Sequence, residues 1–163
     1  MSKENIFYLS KGNVNLLSHA GIKVKKKSHD DVFIINAVEL LTQIASPEQA
    51  EAMVDALQQQ MSNNAMNLVL ADYDLVEIEQ NIIRKGETAQ SMAQGVEKTL
   101  NRASTNFASF QIVRNAFTRE GVHNAYSFKT DRVDSIINTV DELTPKFQRI
   151  ELLLAKARAM LSG

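Results

Sequence analysis

The stretch from Ala89 to Phe117 is the feature that most narrows what this chain can fold into. Ala89, Ala93, Val96, Leu100, Ala103, Phe107, Phe110, Arg114 and Phe117 follow one another at alternating spacings of four and three, the a/d seam of a helix packed lengthwise on a partner. Only Arg114 interrupts it. A seam specifies a mode of packing and no chemistry, so the sequence constrains architecture far more than activity.

A second seam lies downstream, in a helix opened by Thr130 and Asp131: Val133, Ile137, Val140, Thr144, Phe147, Ile150, Leu154, Ala157 and Leu161. Folding the two seams about the segment 120–128 sets Ala103 opposite Phe147, Leu100 opposite Ile150 and Val96 opposite Leu154, mostly large against small. The expected fold is therefore all-α: an elongated helical bundle built on a long antiparallel hairpin, about 87–119 and 130–161, with shorter helices packed along it. Pro145 predicts a kink in the second arm, or an end and a restart with Thr144 as N-cap. Arg114 is expected to reach Asp134 or Asp131 near the hairpin tip, or to point into solvent.

Upstream, Ser28 with Asp31 predicts a helix over the apolar series Val32, Ile35, Val38 and Leu41, ending near Ala45. Ser46-Pro47-Glu48-Gln49 then reads as N-cap, Pro at N1 and a capping-box partner at N3. Ser62-Asn63-Asn64 suggests a break before a third helix, about 65–85. That helix carries Met66, Val69, Tyr73, Val76 and Ile83 on one side and Leu68, Leu75 and Ile82 on another, so something must cover both. The phase of the apolar pattern changes near Gly86, where a break or bend is expected.

The first 28 residues form a basic arm, expected to be poorly ordered or irregular, ahead of a single helical domain at 29–163. The short apolar runs Ile6 to Leu9 and Val14 to Leu17 fit a hairpin, or a helical turn or two framed by Asn13 and Gly21. Charge is unevenly placed. Residues 1–29 carry six Lys against one acid, 30–87 carry two basic residues against eleven acids, and 88–163 carry ten basic residues against seven. Lys11, Lys23, Lys25, Lys26 and Lys27 are the candidates for contact with phosphates or an acidic partner, with Phe7 and Tyr8 near enough to stack on bases.

Catalytic templates fail one after another. The chain has no cysteine, no Gly-rich phosphate loop, no Gly-x-Ser-x-Gly turn and no His-Glu-x-x-His. Glu120 and His123 have Glu-x-x-His spacing, but a di-iron bundle needs that motif twice. His29 with Asp30 and Asp31 is better explained by helix capping, and Asp72, Asp74, Glu77 and Glu79 by a solvated acidic face. His19, His29 and His123 stand far apart in the sequence. No enzyme, metal or cofactor is expected.

The expectation that remains is a protein–protein interaction or assembly module, self-associating as a homo-oligomer or bound to a helical partner, with the hairpin seam (Ala93, Val96, Leu100, Ala103, Phe107, Phe110, Phe117, Val140, Phe147, Ile150, Leu154) as its frame. Nucleic-acid binding through the lysine arm is the alternative. No apolar run approaches the roughly 20 residues of a membrane span, and the start lacks the zones of a cleaved secretory signal. Absence of cysteine makes the cytoplasm the default compartment, with export lacking a cleaved signal also compatible.

Overall fold

The computed structural model describes residues 5–24, 26, 27, 32–118 and 130–162. Within them the chain is mostly helical, with the order β1 (Ile6–Leu9), α1 (Lys11–His19), β2 (Lys26–Lys27), β3 (Phe33–Asn36), α2 (Ala37–Thr42), α3 (Pro47–Glu79), α4 (Ala89–Thr118) and α5 (Thr130–Ser162). It divides into two compact units. The first comprises Met1–Ser62 with Thr105–Asp141, and the second Asn63–Ser104 with Glu142–Gly163.

The first unit adds a small sheet to its helices. β3 is central, with β1 and β2 antiparallel on either side of it. Phe7 pairs with Ile35 and Leu9 with Phe33, so the period of two in β1 sends Phe7 and Leu9 into the core while Ile6 and Tyr8 stay half-buried. This corrects the helix expected from Ser28. The run Val32-Phe33-Ile34-Ile35 is β-branched and aromatic, suits a pleated surface, and has a partner in β1. The helix begins only at Ala37, capped by Asn36, whose Oδ1 accepts from the backbone N–H of Val38 at 2.8 Å and of Glu39 at 3.3 Å. Residues 28–31 lie outside the described residues.

Residues 6–19 are a strand and a helix where irregular structure was expected. Leu17, Val14 and Asn13 of α1 are buried, and the helix ends in a Schellman turn: Ile22 N–H donates to Leu17 O, Gly21 N–H donates to Ser18 O, and Gly21 has φ +84°. Leu17 and Ile22 are both buried at that turn.

Buried side-chain amides do the work of extra strands. The outer edge of β1 is met by α4: Asn106 Oδ1 accepts from Tyr8 N–H at 2.6 Å, and Asn106 Nδ2 donates to Tyr8 O at 2.9 Å. Ser109 Oγ donates to Ile6 O at 2.6 Å. Where β1 passes into α1, Gln60 Oε1 accepts from Ser10 N–H and from Asn13 Nδ2, both at 2.8 Å. Gln43 repeats the device on Lys23, accepting from its N–H at 2.8 Å and donating to its carbonyl at 3.0 Å. The Asn106, Ser109 and Gln60 bonds remove the penalty of backbone polar groups turned away from water, while the Gln43 bonds are exposed.

α3 starts as its sequence suggests. Ser46 Oγ accepts from Gln49 N–H at 3.1 Å, while the Gln49 side chain accepts from Ala45 N–H and donates to Ala20 O. The break expected at Ser62-Asn63-Asn64 does not occur: α3 spans Pro47–Glu79, and Asn64 is buried within it. It ends six residues before the expected Lys85, in a second Schellman turn. Ile82 N–H donates to Glu77 O, Asn81 N–H donates to Ile78 O, and Asn81 takes φ +59°. The chain does turn through Gly86, at φ +84°. Pro145 lies inside α5 without ending it; Asp141, whose carbonyl the missing proline N–H would have met, is exposed, as is Pro145 itself.

Replacing Asn106 with Leu keeps the volume but leaves the N–H and C=O of Tyr8 without their partner. The expected loss is about 2 kcal/mol or more, read as a lower urea midpoint with an unchanged slope.

Candidate interaction face

In the second unit the buried side of α3 is formed by Leu68, Ala71, Leu75 and Ile78, packed with residues of α4 (Met92, Ala93, Val96, Leu100, Ala103) and α5 (Leu143, Phe147, Ile150, Ala157), all buried. The opposite side of α3 is also apolar. Met66, Val69, Leu70 and Tyr73, at i, i+3, i+4 and i+7, are 61, 40, 55 and 66% exposed. The two-sided apolar pattern of this helix therefore resolves into one covered stripe and one open stripe. Leu70 belongs to the open one and was not singled out in the sequence, although its spacing of four from Met66 was visible.

The open stripe borders a cleft of about 290 Å³ lined by Leu68, Val69, Asp72, Tyr73, Lys146, Arg149 and Ile150. Its floor is apolar and its rim is charged. Arg149 donates from Nε and Nη2 to the two oxygens of Asp72, the latter at 3.2 Å, and this bond with the neighbouring negative charge holds the guanidinium firmly protonated. Lys146, at the same rim, is exposed. Two turns further on, Lys156 donates to Glu79 at 2.7 Å. Both bonds join residues 77 apart, so these segments of α3 and α5 run parallel and stay in one register over a heptad. Arg158 pairs with Glu97 of α4.

Asp72, Asp74, Glu77 and Glu79 are thus not a free acidic face. Arg84, in the loop after α3, gathers Asp74 at 2.9 Å, Glu77 at 3.5 Å and Glu87 at 3.1 Å. Three carboxylates surround one guanidinium. Partial burial raises the Asp74 pKa, Arg84 opposes that rise, and Glu77 and Glu87 add to it. Among the described residues the buried Oε2 of Glu77 accepts no hydrogen bond, with Arg84 Nε 3.5 Å away.

Of the hairpin seam, Ala93, Val96, Leu100, Ala103, Phe110, Phe147 and Ile150 are buried, Phe107 and Leu154 are half-buried, and the side chains of Phe117 and Val140 lie outside the described residues. In the first unit the buried side of α4 keeps Phe110 but otherwise moves off the a/d count to Asn106, Ser109, Val113 and Ala116. Arg114 consequently sits beside the core, bonded through Nε and Nη2 to Asn115 Oδ1. Asp131 and Asp134, its expected partners, fall among side chains outside the description.

The lysines do not gather into one described site. Lys11 is exposed in the first turn of α1, Lys23 is held through its backbone by Gln43, and Lys27 lies over the Phe33 ring at 6.0 Å. Lys25 and the Lys26 side chain are outside the description. Among the described residues, no three His, Asp or Glu side chains form a group able to hold a metal ion, and no helix is long and apolar enough to cross a membrane. His19 is exposed at the end of α1; His29 and His123 lie outside the described residues.

Removing the guanidinium by Arg84→Gln leaves Asp74, Glu77 and Glu87 facing one another. An acid whose folded pKa is raised favours the folded state below its unfolded pKa and costs stability as pH rises through the folded value. The variant should therefore be less stable than wild type near pH 7, with the gap closing as pH falls to about 3, in paired thermal melts. No family model, no curated protein and no solved structure matches this chain.

Proposed function

We propose that this chain is a non-enzymatic protein–protein interaction module, with the outer face of α3 as its contact surface and α4 and α5 as the antiparallel hairpin that carries it. The observation behind this reading is the open stripe Met66, Val69, Leu70 and Tyr73. Scattered exposed apolar residues need no explanation, but four at helical spacing form a continuous strip, and a covering partner removes its cost in water. Tyr73 and Met66 are residue types enriched at interface cores. The pairing of Arg158 with Glu97 and the burial of most of the described seam support the hairpin as scaffold. A cysteine-free chain fits the cytoplasm.

The test is a double substitution, Leu70→Gln with Tyr73→Ser. Both side chains are largely exposed, so stability should change by no more than about 0.5 kcal/mol per site. A protein partner that co-purifies with tagged wild type, nuclease-treated or not, should be lost from the variant. Retention of that partner by the folded variant, or its release from wild type by nuclease alone, would sink the reading.

A further inference from the structure

We infer that the occupant of the α3 face is a second copy of the same chain, seated with the two α3 helices side by side and parallel about a two-fold axis along them. The inference rests on the interaction reading above and names its partner. Met66, Val69 and Tyr73 have the a, d, a spacing of a two-stranded seam, and Leu70 flanks it. In the parallel arrangement Met66 meets Met66, Val69 meets Val69 and Tyr73 meets Tyr73, with Leu70 packed beside Val69 of the other copy.

Charge selects this direction over the antiparallel one. At about 100° per residue, Asp72 falls on one side of the stripe and Asp74 on the other, while Glu77 continues the stripe one turn beyond Tyr73 and is drawn toward the Asp74 side by Arg84. The Asp72 side is where α5 brings Arg149 and Lys146 to the cleft. The opposite side holds Asp74 and the Arg84 cluster it belongs to, in which Asp74, Glu77 and Glu87 outnumber the one guanidinium by two charges. A two-fold axis along the helices brings the basic side of each copy against the acidic side of the other. An axis across them would bring Lys146 against Lys146 and leave both acidic groups unopposed.

The four stripe side chains expose less than the roughly 800 Å² per partner of a standard interface, so the dimer is a dissociating one that forms with rising concentration.

Because the chain has no native cysteine, single introduced cysteines report the geometry without background. Met66→Cys and Tyr73→Cys are made separately in the full chain, with Leu152→Cys, at a 73% exposed position of α5, as the control. Each is oxidised at high concentration after circular dichroism confirms wild-type helix content. In the parallel seam each stripe position lies near its own copy, within disulfide reach. The expected result is several-fold more disulfide dimer from each stripe variant than from Leu152→Cys, and a wild-type mass by light scattering that rises toward two chains with concentration.

Crosslinking only when Met66→Cys and Tyr73→Cys are mixed would mean antiparallel helices and overturn the inference. A wild-type protein that stays monomeric, with stripe variants crosslinking no better than the control, would overturn it too. That second outcome leaves the interaction reading standing wherever the Leu70→Gln, Tyr73→Ser variant still loses a different protein partner.

Discussion

The first unit depends on a backbone edge being answered by side chains. A three-stranded sheet has two outer edges, and an edge covered by a helix loses the water that would satisfy it. Asn106 supplies to Tyr8 the donor and acceptor that a neighbouring strand would have supplied, and Ser109 does the same for the carbonyl of Ile6. This is why two polar residues are buried on α4 where an apolar count places none. The helix is thereby keyed to the strand by direction as well as by burial, since apolar contact alone tolerates sliding and a two-point amide bond does not.

The same arrangement explains which parts of the fold were legible in the sequence. The start of α3 was, because Ser46, Pro47 and Gln49 settle it among themselves within four residues. β3 was not. Its apolar run fits a helix and a strand alike, and the deciding partner, β1, lies 28 residues upstream in the Phe7 to Ile35 pairing. The supposed break at Ser62-Asn63-Asn64 failed for a related reason: polar residues were read as exposed, while tertiary packing buries Asn64 inside a continuous helix.

The open apolar face of α3 was half legible. Two apolar sides of α3 could be counted from spacing, but which side the chain covers itself depends on where α5 lies, packed through Leu143, Phe147, Ile150 and Ala157 and marked in register by Asp72 with Arg149 and Glu79 with Lys156, pairs that no local pattern joins. The acids of α3 looked like a solvated surface because their cations sit in the following loop and on a helix at the far end of the chain. Exposed ion pairs of this kind add little stability each. Their value here is positional.

The constant separation of 77 residues makes α3 and α5 a matched pair of rulers. Extra residues can enter the loop after Asn81 without disturbing either rung, since only the bookkeeping number changes. A single residue gained or lost between Asp72 and Glu79 would rotate one rung by about 100° away from its mate. Length variation in this protein should therefore be confined to its connections, while within these helical segments it can be accommodated only in steps of whole heptads.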